Sequence, residues 1–293
     1  MRTLLIVISF FLIQSSFSQD TLLLHMLDDS MSMQKTKTYV TGTFKGVYII
    51  NTQSVEAPAK NALIFLIMHR FGKVNDGAYN LFGLDNATMR IGFDYGITNN
   101  LSVGVGRSTF EKTFDGHIKY KLLKQTDGSN QMPVTVDLFG GIYYTSLKYS
   151  DKPYFNSRYR TSYDASLLIA RKISTALSLQ ITPTLLHYNL VPTTADKNNV
   201  FVISTGGRFK LTKRMSVNAE YDYVLPGQVN SYTTYNSLSA GIDIETGGHV
   251  FQLHLTNSQG MVEPLFLGKT TGSWTKGNIY FGFNVSRAFN LKH

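Results

Sequence analysis

The chain has 293 residues, 43% of them hydrophobic but only 16% charged, with a net charge of +9, no Cys, 19 Phe and 17 Tyr. A soluble domain carries roughly a quarter charged residues, so charge is scarce here although the mean hydropathy is only −0.08. The aromatic content excludes a disordered chain, and the lack of Cys excludes disulfides, thiolate metal sites, a cysteine nucleophile and a lipidated cysteine anchor.

In chain order, Arg2 and the apolar run from Leu4 to Ile13, followed by Ser16-Phe17-Ser18, predict a signal peptide over residues 1–18. A ten-residue run is too short to span a bilayer about 30 Å thick as a helix. Residues 19–60 do not fit a strand pattern and are expected as an N-terminal periplasmic segment, in part a plug. No later stretch approaches 18 apolar residues; residues 62–68 form the longest run before His69-Arg70.

From Asn61 onward the pattern is period two, the signature of strands with two unlike faces. Met89, Ile91, Phe93 and Tyr95 alternate with Arg90, Gly92 and Asp94; Leu238, Ala240, Ile242 and Ile244 alternate with Ser239, Gly241 and Asp243. Twelve strands are predicted, near residues 61–70, 87–96, 100–108, 114–123, 132–147, 159–172, 175–187, 199–211, 214–224, 234–245, 248–257 and 277–289. Alternation also suits a soluble sandwich, so the connections decide. Every second one is tight, as at Thr98-Asn99-Asn100, Ser174-Thr175 and Thr246-Gly247-Gly248, with 125–131 a little longer. The others are mostly long: 72–86, 150–158, 189–198, 225–233 and 257–276. An even strand number with short turns at one end and long loops at the other points to a closed antiparallel transmembrane β-barrel over residues 61–293, both termini in the periplasm. Closure is required because an open edge in hydrocarbon leaves unpaired N–H and C=O groups.

Alternation turns Arg90, Asp94, His117, Lys119, Lys121, Asp137, Arg160, Asp164, Arg208, Lys210, Glu220, Asp222, Asp243 and His254 toward the lumen. They either pair across strands and fill the interior, because buried charges need partners, or line a path for a polar solute. Basic residues gather on early strands and acidic ones on late strands, a transverse field that would suit small, anionic solutes. The loop apolar stretch Leu81-Phe82-Gly83-Leu84 is expected either to constrict the mouth, to meet a partner or to dip into lipid.

Three other chemistries find little support. There is no basic run or nucleic-acid motif, so no nucleic acid is expected as partner. A membrane hydrolase would need His beside Ser, as His254 with Ser258 or His117 with Ser108, but no G-x-S-x-G element is present. The scattered His residues offer no metal set, and no catalytic residue, cofactor or metal is assigned.

The stretches GTFKGVYIINTQSVE (residues 42–56), HRFG (69–72), NLFGLDNATMRIGFDYGITNNLSVGVGRSTFEKTFDGHIKYKLL (80–123) and NVSRAFNL (284–291) resemble the Bacteroidota outer-membrane β-barrel family called domain of unknown function 5777. The resemblance is specific in the first half and only one of pattern from about 150 to 274; Ala288 stands where the family more often has Val. It implies an exported outer-membrane barrel and brings no known activity. The leading expectation is a narrow channel or transporter in outer-membrane lipid. The alternative is a non-transporting scaffold that docks a periplasmic protein through residues 20–60. An open lumen would favour the first and a plugged one the second.

Overall fold

The computed structural model describes residues 37–128, 131–151 and 154–291. The signal-peptide assignment and residues 19–36 lie outside them. Twelve strands form one closed antiparallel barrel: β1 (Ala62–Lys73), β2 (Ala87–Gly96), β3 (Leu101–Ser108), β4 (Thr113–Leu123), β5 (Thr135–Thr145), β6 (Thr161–Lys172), β7 (Leu177–Tyr188), β8 (Asn199–Lys210), β9 (Met215–Val224), β10 (Ser237–Thr246), β11 (His249–Thr256) and β12 (Tyr280–Asn290). Each strand pairs with its sequence neighbours, and β12 closes on β1 with Val285 opposite Ile67. No strand edge is left open in the ring, which is what hydrocarbon demands of a β structure.

The two faces are inverted relative to a soluble sheet. On β7, Ser178, Gln180, Thr182 and Thr184 are buried inside, while Leu179, Ile181 and Leu185 are exposed. Val105, Ile118, Leu138, Ile142, Phe201, Leu253 and Leu255 continue this apolar outer surface around the ring. An apolar outer band over a polar interior is the pattern of a lipid-embedded barrel.

The connections divide by rim. Turns such as 97–100, 173–176 and 211–214 close one rim; loops such as 146–160, 189–198 and 225–236 rise from the other. One connection on the long-loop rim is brief, a single 3-10 turn at Phe110–Lys112 in which Glu111 and Lys112 have positive φ. The Leu81-Phe82-Gly83-Leu84 stretch does not enter the lumen. Tyr79, Leu81, Phe82 and Leu84 are exposed, and Leu81 and Phe82 adopt positive φ in a 3-10 segment at the rim.

The lumen is filled instead from both rims. Residues 43–56 enter from the short-turn side, after Thr38–Tyr39 pairs with Thr126–Asp127 in the β4–β5 connection. Residues 257–279 fold back in from the other side and carry one helical turn, α1 (Glu263–Phe266). The inserts meet where Val47 and Tyr48 pack with Met261 against Leu66 and Met68 of β1. Phe44, Ile49 and Val55 pack against Phe139, Leu168 and Ala170 on the opposite wall.

Candidate functional site

The site is the occluded lumen. Residues 47–54 form a small hairpin, closed by Ile49 N–H to Thr52 C=O at 2.9 Å and Ser54 N–H to Val47 C=O at 2.8 Å, with a bridge between Tyr48 and Gln53. A hairpin inside a barrel has main-chain groups with no sheet neighbour. Each unpaired one is costly, and here the wall's side chains satisfy them.

At the tip, the Glu220 carboxylate on β9 accepts the backbone N–H groups of Ile50, Asn51 and Thr52 at 2.8 to 3.1 Å. The Asn51 amide donates to Ser239 at 3.0 Å and accepts from Arg70 at 2.7 Å, and the Thr52 hydroxyl donates to Asp222 at 3.2 Å. The carbonyls run the other way. Lys119 Nζ donates to Ser54 and Glu56 carbonyls at 2.9 and 3.0 Å, and Lys121 Nζ to that of Val55 at 2.7 Å. Gln252 serves the Ile49 carbonyl, Asn284 that of Ile50, and Gln180 that of Gln53. Where the segment enters, Arg208 holds the Gly42 and Thr43 carbonyls, Glu56 accepts the Thr43 and Phe44 N–H groups, and Lys45 pairs with Glu245. The hairpin thus lies between basic early strands and acidic Glu220 with its peptide dipoles matched to both.

Elsewhere the wall pairs with itself. Arg90 binds Asp115 through both Nε and Nη2, and its guanidinium lies where Gly92 and Gly106, lacking Cβ atoms, leave space along the wall. His117 Nε2 lies 2.6 Å from Asp94. Asp137 is buried with no hydrogen bond to either oxygen and Lys121 Nζ at 3.9 Å. His254 is buried with neither ring nitrogen bonded.

The second insert is tied at several points. Glu263 and Asp164 both contact the Tyr143 hydroxyl, Tyr188 donates to the Pro264 carbonyl at 2.6 Å, and Lys269 pairs with Glu111 at 3.0 Å. Above it, a cavity of about 240 Å³ at the long-loop rim is lined by Tyr149, Phe155, Tyr159, Tyr188, Pro264 and Leu265 among others.

Of the fourteen lumen candidates, all but Arg160 sit on barrel strands at inward positions. Lys119, Lys121, Arg208, Glu220 and Asp222 bind the inserted segment 42–56; Asp94, His117 and Arg90 bind other wall residues; Asp243 accepts from Gln252 at 3.0 Å. Lys210 sits at the short-turn end of β8 with its side chain half-buried. Arg160 is the exception. It precedes β6 and donates to the Phe155 and Leu147 carbonyls of the loop at the mouth and to that of Thr145 at the end of β5. Sequence reasoning missed Arg70, Asp115, Gln180, Gln252 and Asn284. Asp115 shares the parity of His117 and Lys119 and was legible; the neutral amides carry no charge signal to single them out.

Among the described residues, no three His, Asp or Glu side chains converge as a metal set. No curated protein matches the sequence. Among solved structures, the chain is similar to the NanC porin at 10% identity, over 78% of this chain and 98% of that one, with a TM-score of 0.47. The KdgM porin gives 8%, 78%, 99% and 0.47, and LpxR from Salmonella typhimurium 8%, 78%, 99% and 0.35. The description "membrane bound beta barrel domain" (DUF5777) matches residues 44–289, nearly the whole described barrel with its hairpin, and the chain belongs to this family.

Proposed function

We propose that the protein is an outer-membrane conduit, closed at rest, that passes small polar solutes when the hairpin and the inserted residues 257–279 both leave the lumen. On this reading residues 1–18 are a signal peptide, residues 19–60 a periplasmic and plug segment, and both termini lie in the periplasm. The observation that carries it is the chemistry of the wall. The wall meets residues 42–56 with Lys119, Lys121, Arg208, Glu220 and Gln180, groups whose hydrogen bonds water can also make. Water can take over each of those hydrogen bonds once the hairpin moves, so the emptied lumen would stay wet. Lys119 and Lys121, which the departing segment would release from its carbonyls, support anionic solutes.

The filled lumen itself favours a second reading, a scaffold that docks a periplasmic protein and conducts nothing. The test uses the absence of native Cys. Asn51 Nδ2 and Ser239 Oγ are 3.0 Å apart, so Asn51→Cys with Ser239→Cys places two thiols to tether the hairpin. In planar bilayers the reduced double variant and wild type should both show brief discrete openings; oxidation should abolish those of the double variant alone, and reductant should restore them. Silence in every state would leave the scaffold.

A further inference from the structure

Tyr143 on β5 has one hydroxyl hydrogen and two carboxyl neighbours. Its Oη lies 2.7 Å from Asp164 Oδ1 on β6 and 2.7 Å from Glu263 Oε2 on α1 of the inserted loop. A phenol hydroxyl donates one hydrogen bond. With both carboxyls ionised, one of these contacts would set an anionic oxygen against the phenol's lone pairs. The second contact therefore needs a proton on a carboxyl. All three residues are buried; Asp164 Oδ2 accepts from Ser166 at 2.9 Å, and Glu263 Oε1 has no partner.

The surroundings do not supply a free neutralising charge. His117 of β4 faces Glu263 but is bound to Asp94 of β2. Arg90 of β2 is spent on Asp115 of β4, and Tyr48 of the hairpin is neutral and buried. Further along the same loop, Lys269 is paired with Glu111. Burial and the neighbouring Asp164 charge push the Glu263 carboxyl up to about 7. Tyr143 and Leu265 also line the cavity at the long-loop rim, which gives protons a route.

We propose that Asp164 and Glu263 hold one shared proton through Tyr143, and that this proton latches residues 257–279 inside the barrel. Loss of the proton leaves two buried anions competing for a single hydroxyl, and the loop is released. The sign follows. The protonated form is the one the folded loop favours, so the latch is intact at acidic pH and fails as pH rises through the upper titration of the pair. The inference rests on the fold alone and does not require the barrel to conduct.

The test reads loop release directly. Leu265 is buried, and Leu265→Cys would be the only thiol in the full-length barrel. Its maleimide labelling rate is measured at pH 5.5 and 8.5 in lipid vesicles and divided by that of a free thiol peptide at the same pH. The corrected rate should rise about tenfold or more with pH, the scale of one pKa unit of differential interaction. Glu263→Gln, which keeps a neutral group at the contact, should flatten the profile, and Asp164→Asn should do the same if the first variant folds poorly. A corrected rate that is equal at both pH values, or a rise that persists in both variants, overturns the latch. Phe266→Cys serves as a second reporter if Leu265→Cys itself loosens the loop.

Discussion

Glu220 on the barrel wall accepts the backbone N–H of Asn51 at the hairpin tip at 2.8 Å, with the Ile50 and Thr52 N–H groups each at 3.1 Å. One carboxylate thus neutralises three main-chain donors that have no sheet partner. Hydrogen bonds to an ionised acceptor are worth about 1.5–3 kcal/mol each, so Glu220→Gln should loosen the tip by about 2 kcal/mol. Amide exchange at Ile50, Asn51 and Thr52 should accelerate about thirtyfold, while barrel amides such as that of Val202 keep their protection. Unchanged exchange at the tip would show that the carboxylate does not hold it.

Reversal of charge at Arg90 tests stability before selectivity. Arg90 and Asp115 are a buried, doubly hydrogen-bonded pair, and a broken pair of this kind costs on the order of 3–5 kcal/mol. Arg90→Glu should therefore lower the urea midpoint sharply or prevent folding in lipid. A variant as stable as wild type would mean that Asp115 finds another partner.

Two glycines on the adjacent strands β3 and β4 separate interior crowding from a general loss of chain flexibility. A Cβ at Gly104 would stand 2.3 Å from the His117 ring and 2.5 Å from Asp94, whereas one at Gly116 meets nothing closer than 3.6 Å. Gly104→Ala should cost about 1–3 kcal/mol by forcing His117 and Asp94 apart, and Gly116→Ala should be close to neutral. Equal urea midpoints for the two would refute the crowding.

The loops 189–198 and 225–236 are joined by Asp196. Burial would raise its pKa, but it accepts the Asn230 and Ser231 N–H groups at 2.7 and 2.9 Å and the Thr193 hydroxyl at 3.0 Å. These bonds win and hold the carboxyl well below the usual carboxylate range. A depressed folded pKa means that the stabilisation is complete above the unfolded value of about 3.9 and is lost as pH falls through the folded one. Exchange of the Asn230 and Ser231 amides should stay slow at pH 5 and quicken only below about pH 4. Asp196→Ala should remove both the protection and its pH dependence.

The strands were legible because lipid outside and polar groups inside force strict alternation, as in Leu238-Ser239-Ala240. Strand ends were less so: the segment near 132–147 begins at Thr135 and ends at Thr145, where turn chemistry and not hydrophobic pattern sets the boundary. The site was read only from one side. Charged wall residues stood out by parity, but the partner of Lys119, Lys121, Arg208 and Glu220 is the main chain of residues 42–56, and a backbone amide has no letter in a sequence. The inserted loop was hidden for a related reason. Met261, Val262, Leu265 and Phe266 are an apolar group in a loop, like Leu81 and Phe82, yet the first set is buried and the second exposed. Among the ties that hold the first set is Glu263, whose partner Tyr143 lies 120 residues away in the chain.

The wall's polar clasp grips the hairpin mostly by its peptide groups, while Val47, Tyr48 and Ile49 pack their side chains beside it. Only Asn51 and Thr52 offer side chains to it at the tip. A shift of one residue in phase would draw the Ile50 N–H away from Glu220 and carry these apolar side chains out of their places together. The barrel therefore fixes the register of the chain twice over, once by its peptide groups and once by its apolar side chains.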